Sequence, residues 1–256
     1  MNLGFIGTGK IASSVITGIC KSKISYKKII ISPRNKTIAK NLKSKFKKII
    51  IAKDNQQIIN KCDWVFLSVT PNVGEKIIKK LKFKSNQTII SFISTITLSQ
   101  LKKAIKVKTT IVRAIPLPPI SLKKGPVPIC PPNAKVKAFF NQVGTTVEIK
   151  NEKSSINFWS TSGMMAPFYE LLSTMSNWLV KRGVKRDKAQ KYITSLFVAL
   201  SDDAVVNSKK DLKHLVKDSQ TPKGLNEQGV KELRKAGFYR ATEKTLSSIL
   251  KRLNKV

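Results

Sequence analysis

Histidine and cysteine are scarce in this chain of 256 residues. His214 is the only histidine, which excludes Ser-His-Asp triads, most Cys-His dyads and zinc sites built from several histidines. The cysteines Cys20, Cys62 and Cys130 are odd in number and widely spaced. We therefore interpret them as reduced thiols and expect neither a disulfide framework nor a metal site.

Long hydrophobic runs are also missing. No apolar run approaches the ~20 residues that a membrane span requires. The first predicted strand begins at Leu3, so the sequence predicts no signal or transit peptide before the fold. We therefore expect a cytoplasmic protein that does not enter a membrane.

Acidic residues are too few to balance the basic ones. The chain has 49 Lys and Arg against 14 Asp and Glu, a net charge of +35, which taken alone favours a nucleic-acid or anionic-membrane partner. Nearly all of the excess is lysine, however, and it is spread over every predicted surface helix without interleaved aromatic residues. Because arginine and stacked aromatics carry most base recognition, we expect weak polyanion binding and no specific nucleic-acid partner.

The first sixteen residues combine an apolar strand, a glycine turn and the start of a helix. Gly7 permits the tight turn, Gly9 lets the backbone approach a pyrophosphate, and Ala12 allows close packing of helix on strand. This Gly-x-Gly-x-x-Ala spacing predicts a dinucleotide whose pyrophosphate binds the free N–H groups of the helix start. A turn without any ligand is the alternative. The predicted cofactor contacts are Gly7, Thr8, Gly9, Lys10 and Ile11.

The end of the second predicted strand bears on the choice between NAD and NADP. It lacks the acidic residue that binds the ribose of NAD. It offers hydroxyl, guanidinium, amide and ammonium donors instead, which suit the 2′-phosphate of NADP. We therefore expect NADPH to be favoured over NADH, although a solvated basic turn is the other interpretation. The donors are Ser32, Arg34, Asn35 and Lys36, of which Ser32 and Arg34 are the predicted contacts.

Short apolar runs alternate with helical patterns over residues 1–152, which predicts a doubly wound parallel sheet, that is, a Rossmann-type NAD(P)-binding domain. The proline-rich segment 116–120 predicts an extended loop at the sheet edge. The predicted strands are 3–6, 28–32, 49–52, 63–69, 88–94, 109–115 and 145–150, and the predicted helices lie near 10–21, 35–45, 55–61, 72–81, 98–104 and 133–142.

Residues 153–256 contain no predicted strand. Five helices are expected there, with breaks at Arg182-Gly183 and at Gly237. These helices would bury more apolar surface against a second copy than alone, although a self-contained bundle is the alternative. The predicted architecture is an α/β domain followed by an all-helical dimerisation and substrate domain.

Six segments of the chain recur in the order and at the distances of a known family. They are Gly4–Ile11, Asp54-Asn55, Asp63–Pro71, Ile111–Pro116, Thr221–Gln228 and Leu233–Phe238. Together they resemble the pyrroline-5-carboxylate reductase family, which makes proline by reducing a cyclic imine. The resemblance spans the whole chain and implies NADPH-dependent reduction of a small cyclic imine, 1-pyrroline-5-carboxylate to L-proline.

The resemblance also implies roles for individual residues. It places Asn55 near the ribose-phosphate region of the cofactor, and it places Val69, Thr70 and Pro71 on the nicotinamide side. It implies a domain-swapped helical homodimer, often assembled further, with substrate between the carboxyl edge of the sheet and the partner's helices.

The substrate segments depart from the family. Its Val-Lys-Pro is Val69-Thr70-Pro71 here, its Met-Pro-Asn-Thr-Pro is 115–119, and its Ser-Gly-Ser-Gly-Pro-Ala-Tyr is 161–167. The family hydroxyl that bonds the ring nitrogen of the substrate falls on Asn226, whose amide oxygen is an acceptor for the protonated nitrogen.

The remaining candidates lie around one turn and one helix start. The turn from Thr221 to Asn226 opens a predicted helix, so its backbone N–H groups, those of Gly224 and Leu225, are candidates for binding the substrate carboxylate. Asn226, Thr221 and Ser162 are the candidate catalytic residues, with N-capping of the long helix as the other interpretation of Ser162. For Arg113, at a strand end, structural pairing is expected over cofactor binding.

Two other functions are compatible with the sequence. One is a diverged NAD(P)-dependent oxidoreductase that acts on another imine or keto compound, which the loss of the family hydroxyl at Asn226 favours. The other is a non-catalytic nucleotide-binding sensor, which a retained glycine turn beside altered substrate motifs would fit.

Overall fold

The computed structural model describes residues 1–254, which separate into two compact units. The first runs from Met1 to Trp159, and the second begins at Ser160. A helix, Glu152–Ser162, crosses this division, and the domain boundary predicted after residue 152 falls at its first residue.

The first unit is an eight-stranded sheet covered by helices. Its strands are β1 (Leu3–Ile6), β2 (Ile29–Ile31), β3 (Ile49–Ile51), β4 (Trp64–Leu67), β5 (Thr88–Ser91), β6 (Thr110–Ala114), β7 (Pro126–Cys130) and β8 (Thr145–Glu148). Its helices are α1 (Lys10–Cys20), α2 (Lys36–Lys45), α3 (Asn55–Lys61), α4 (Pro71–Lys79), α5 (Leu98–Ile105), α6 (Ala134–Phe140) and α7 (Glu152–Ser162).

The strand order is β3-β2-β1-β4-β5-β6-β7-β8, and every neighbouring pair is parallel except β6 with β7. The first six strands have the order of a doubly wound dinucleotide-binding sheet. The α/β fold class is therefore confirmed, with one antiparallel pair in a mostly parallel sheet.

Helices on both faces explain why the strands are continuous apolar runs. Successive side chains of a strand point to opposite faces, so Phe5 and Ile6 belong to two different cores. Phe5 stacks on Phe66 with ring centroids 4.4 Å apart, whereas Ile6 packs with Val65 and Leu67 on the other face. The two cores fix the strand ends and hence the edge at which the candidate cofactor site lies.

The segment after β6 differs from its prediction. Pro118–Leu122 form a 3₁₀-helix and not an extended loop, and this helix packs so closely on α1 that Gly18 has no room for a Cβ. Strand β7 is absent from the predicted strands. Its prolines lack N–H donors, which argues against a place inside a sheet. Only Ile129 and Cys130 of β7 pair with β6, whereas Pro126 and Pro128 have their register partners, Thr145 and Val147, on β8.

The second unit contains only helices among its described residues. They are α8 (Met165–Val180), α9 (Arg186–Val206), α10 (Lys213–Asp218), α11 (Leu225–Lys235) and α12 (Phe238–Leu253). Gly183 and Gly237 have positive φ angles of 88° and 77° at the two predicted breaks. Of the hydrophobic residues between 160 and 254, only Ala189 and Ile193 are buried.

The helices within residues 1–254 bear on membrane insertion. None of the helices in this range has the length and the apolar character that a membrane crossing requires.

Candidate cofactor and substrate sites

The turn between β1 and α1 requires glycine at its first position. Gly7 has a φ of +97°, and a Cβ there would lie 2.6 Å from the carbonyl oxygen of Ser68. The hydroxyl of Ser68 donates to the carbonyl of Gly7 at 2.7 Å, which ties the turn to the end of β4. Any side chain at Gly7 would be strained in conformation and would clash with this contact.

Gly9 has a different physical role from Gly7. It is the N-cap of α1, with a φ of −77° that any residue adopts, and a Cβ there would meet nothing within 4 Å. No side chain caps this helix, and its first turn carries no acidic residue. The free N–H groups and the positive end of the helix dipole therefore face open space that an anionic ligand can fill.

A cleft of about 540 Å³ lies beside this helix start. It joins the carboxyl ends of β1, β2 and β4, which is where doubly wound sheets bind their ligands. Six of the predicted cofactor contacts line it, whereas Lys10, Ile11, Ser32, Asn55 and Pro71 are not among its lining residues. The lining is formed by Gly7, Thr8, Gly9, Arg34, Asn35, Lys36, Ser68, Val69 and Thr70.

Ser32 is buried and is not among the residues that line the cleft. Its side chain is 3% exposed, and its hydroxyl donates to Oδ1 of Asn55 at 3.0 Å, so its proton is not available to a phosphate. The hydroxyl of Thr8 donates to the carbonyl of Ser32 at 3.4 Å. Ser32 therefore positions Asn55, whose amide nitrogen has no acceptor among residues 1–254.

Arg34 and Lys36 form a basic wall of the cleft. Both are exposed, and neither makes an ion pair with a described residue. Between them, Oδ1 of Asn35 accepts from the backbone N–H of Ile38 at 3.1 Å and caps α2. The two cations and the start of α2 give this wall a positive potential, which suits a phosphate group.

Val69, Thr70 and Pro71 form the entry to α4. Thr70 is the N-cap and Pro71 is the first helical residue, where its fixed φ favours the helix and its missing N–H costs nothing. Val69 is half-buried. Its Cγ2 lies close to Gly74 of α4, 3.4 Å from the position that a Cβ would occupy if residue 74 had one. Ser68, just before this segment, was missed by the sequence analysis, although a hydroxyl at the carboxyl end of a strand is a recognisable signal.

The predicted substrate turn precedes α11 in the second unit. Lys223 has a φ of +60°, and Gly224 is the N-cap of the helix. The amide of Gly224 donates to the carbonyl of Thr221 at 2.8 Å, and Thr221 leaves no room for a Cβ at Gly224. Of the two amides predicted to bind a carboxylate, that of Gly224 is therefore already engaged, and that of Leu225 lies in the first turn of α11.

Asn226 is held in one orientation. Its Nδ2 donates to the carbonyl oxygen of Ser219 at 2.8 Å, and since that oxygen only accepts, the amide nitrogen must face it. The amide oxygen then points away as an exposed acceptor, which is the arrangement the sequence-based role requires. Asn226 is exposed in the single chain.

The other two candidate catalytic residues lie in different surroundings. Thr221 lines an open groove of about 440 Å³ between α10 and α11. Ser162 is the last residue of α7, and the N-cap of α8 is Met164, which provides no side-chain cap. Ser162 is therefore not the N-cap residue of α8.

Arg113 makes the structural pairing expected from the sequence. Its guanidinium is buried, pairs with the carboxylate of Glu152, donates to the carbonyl of Ser94 at 2.5 Å and lies 4.3 Å from the ring centroid of Trp159. Burial lowers the pKa of Arg113 from its ordinary value, and the hydrogen bond that its guanidinium donates to Glu152 opposes that shift. This cluster leaves Arg113 in the interior, outside the cofactor cleft.

The acidic and thiol groups of the described residues form neither a metal site nor, at Cys62, an activated nucleophile. Residues 1–254 contain no group of three or more His, Cys, Asp or Glu side chains that could hold a metal ion. Burial raises the pKa of the Cys62 thiol to about 12, so this group is protonated at neutral pH.

Both units match family models. Residues 2–95 match the model described as NADP oxidoreductase coenzyme F420-dependent, and residues 157–256 match that of pyrroline-5-carboxylate reductase dimerisation. The curated pyrroline-5-carboxylate reductase of Synechocystis sp. is 26% identical over 94% of this chain and 92% of its own length. That of Methanosarcina acetivorans is 27% identical over 93% and 92%, respectively. Over most of its length, this chain is therefore similar to pyrroline-5-carboxylate reductases.

A solved structure shares the fold over nearly the whole chain. The pyrroline carboxylate reductase of Plasmodium falciparum, solved with NADP bound, has a TM-score of 0.84 and 21% sequence identity, and covers 99% of this chain and 97% of its own. These matches identify the chain as an NAD(P)-dependent oxidoreductase. The match of residues 157–256 to the dimerisation model supports homo-oligomerisation.

Proposed function

We propose that this protein reduces a small cyclic imine with NADPH, and that 1-pyrroline-5-carboxylate, which yields L-proline, is the substrate to test first. The observation that carries the proposal is the cleft at the start of α1, where the glycine turn and a basic wall meet at the carboxyl edge of the sheet. The names of the curated relatives support the choice of substrate.

The cleft fits a nicotinamide cofactor. A Cβ at Gly9 would project into open space, and the uncapped start of α1 offers its N–H groups to a pyrophosphate. Arg34 and Lys36 supply the cations for a 2′-phosphate, which supports NADPH over NADH. Asn55, held by Ser32, offers an amide N–H for the ribose-phosphate region. A bound nicotinamide supplies the hydride for imine reduction.

The chain's own residues then have to orient the imine and keep it protonated. We assign Asn226 to the ring nitrogen, because its amide oxygen is free to accept a hydrogen bond from the protonated form. The first-turn amide of Leu225 is assigned to the substrate carboxylate, with hydroxyls of Thr221 and Ser162 as further contacts. Positioning of this kind supplies a large part of the rate in such reductions.

A spectrophotometric assay of NADPH oxidation by purified protein tests the proposal. We expect oxidation that depends on 1-pyrroline-5-carboxylate and is slower with NADH at equal concentration. Tight NADPH binding without turnover of any imine in a panel would contradict the enzymatic proposal and favour a nucleotide sensor.

A second candidate is an oxidoreductase that acts on an imine or keto compound without a carboxylate. It is favoured by the internal hydrogen bond of the Gly224 amide and by the carboxylate of Glu227, which accepts from the N–H of Lys223 at 2.6 Å. Turnover of uncharged imines in preference to 1-pyrroline-5-carboxylate would support this candidate.

We also propose a cytoplasmic location and no specific nucleic-acid partner. Cys20, Cys62 and Cys130 are all free thiols, which supports a reducing compartment.

A further inference from the structure

Glu227, in the first turn of α11, already places a carboxylate at the proposed substrate turn. Its Oε2 accepts from the backbone N–H of Lys223 at 2.6 Å, and its Oε1 accepts from Nζ of Lys231 at 2.8 Å. Both oxygens are therefore engaged, one with the turn and one with the next turn of the helix. The sequence analysis missed this contact, although a glutamate three residues after an N-cap is a known capping pattern.

The carboxylate of Glu227 is ionised at neutral pH. The hydrogen bond from Lys231, and then that from the Lys223 amide, lower the pKa of Glu227 below its ordinary value. The side chain therefore carries its negative charge across the whole pH range in which an imine reductase would be assayed.

This charge lies where a substrate carboxylate is expected. The amide of Lys223 is bonded to Glu227 and that of Gly224 to the carbonyl of Thr221, which leaves the first-turn amides from Leu225 onward. A second carboxylate that binds there approaches a fixed like charge, and repulsion weakens its binding.

We propose that Glu227 is a specificity-determining residue, whose carboxylate competes at the turn with the carboxylate of the substrate. It selects against carboxylate-bearing imines relative to the same ring without that group. The inference rests on the proposed function, because it assumes that the turn contacts the substrate.

The test compares Glu227→Gln with wild type on two substrates, 1-pyrroline-5-carboxylate and 1-pyrroline. The amide keeps an acceptor for the Lys223 N–H and removes the charge. We expect KM for 1-pyrroline-5-carboxylate to fall about two- to fivefold and KM for 1-pyrroline to stay unchanged, as for an exposed charge interaction. Glu227→Ala, which also releases the Lys223 amide, should lower KM for 1-pyrroline-5-carboxylate at least as much as Glu227→Gln does.

Glu232→Gln is the matched control, because it removes the same charge from the same helix. Glu232 accepts from Gln228 at 2.8 Å and, unlike Glu227, has no hydrogen bond to a backbone amide of the turn, so neither KM should change. Equal shifts of both KM values in Glu227→Gln, or no shift, would overturn the inference.

A binding measurement separates this inference from the proposed function. If wild type turns over neither imine, the proposed function fails, and calorimetric binding of L-proline to the NADP-loaded protein still tests Glu227. Tighter binding to Glu227→Gln than to wild type supports the inference, whereas equal binding, or none to either protein, overturns it.

Discussion

At the scale of single residues, the two glycines of the first turn have different roles, Gly7 in folding and Gly9 in the proposed binding of a ligand. Gly7 is required by the chain itself, because of its positive φ and the carbonyl of Ser68. Gly9 has ordinary backbone angles and empty space at its Cβ position. No steric constraint within the described residues requires glycine at position 9, whereas the proposed approach of a cofactor would.

Gly7→Ala should destabilise the protein by about 1 to 3 kcal/mol, because a Cβ at φ +97° is strained and clashes with the backbone of Ser68. Chemical denaturation followed by circular dichroism measures this. A free energy of unfolding equal to that of wild type would contradict the prediction.

Gly9→Ala is the companion variant. We expect unchanged unfolding and a clear loss of NADPH affinity, since the added methyl group projects into the space beside the uncapped start of α1. Fluorescence titration with NADPH measures the affinity. If NADPH bound equally well to both proteins, the proposed place of the pyrophosphate would be wrong.

Arg34→Gln should raise KM for NADPH about tenfold and leave KM for NADH nearly unchanged, because a charge-assisted contact to the 2′-phosphate is lost. The ratio of the two KM values is the measurement. Lys40→Gln is a suitable control, since Lys40 is exposed on α2, the helix that follows Arg34, and does not line the cleft. An equal effect on both cofactors in Arg34→Gln would argue against a 2′-phosphate contact.

At the scale of elements, one buried ion pair joins three parts of the first unit. Arg113 on β6 contacts Glu152 at the start of α7 and Ser94 after β5, while Glu152 also accepts from the N–H of Leu98 at 2.8 Å. A single carboxylate thus fixes the first residue of α7 and the start of α5 against the sheet. Removing one partner of such a pair leaves a buried charge without compensation.

Glu152→Ala should therefore destabilise the first unit by about 3 kcal/mol. Glu148→Ala is the control, because its pair with Lys137 is half-exposed and should contribute less than about 1 kcal/mol. Denaturant unfolding of both variants tests the comparison. Equal losses in the two variants would mean that burial does not govern the strength of these pairs.

At the scale of the whole molecule, the second unit leaves much apolar surface uncovered in a single chain. Val205 and Val206, at the end of α9, are 70% and 80% exposed. Apolar patches of this kind mark interaction sites, and the family match assigns these helices to dimerisation. Self-association also brings together copies of a strongly basic chain, so the apolar contact must outweigh charge repulsion.

The double variant Val205→Glu, Val206→Glu should dissociate at roughly tenfold higher protein concentration than wild type. Light scattering coupled to size-exclusion chromatography measures the mass, which for wild type should be at least that of two chains. Lys209→Glu, an exposed site just after α9, makes the same change in net charge and should leave the mass unaltered. A double variant that associates like wild type would place this surface outside the interface.

Features that depend on neighbouring residues were predictable from the sequence. The glycine turn, the breaks at Gly183 and Gly237, and the alternation of strands and helices all follow from backbone preferences and from periodicity within about 20 residues. The motifs that resemble the family are of the same local kind. Fold class, family and the region of the candidate cofactor site could therefore be stated before any coordinates.

Contacts between distant segments were decided by the tertiary structure alone. The sequence cannot tell that Ser32 donates its hydroxyl to Asn55, that Arg113 selects Glu152, or that a proline-bearing strand fits between β6 and β8. Each of these contacts depends on how the sheet and the helices pack, because packing brings residues that are distant in the sequence close together in space. Residue type determines which hydrogen bonds and charges a side chain can offer to a ligand. Only packing decides whether another group of the protein already uses them.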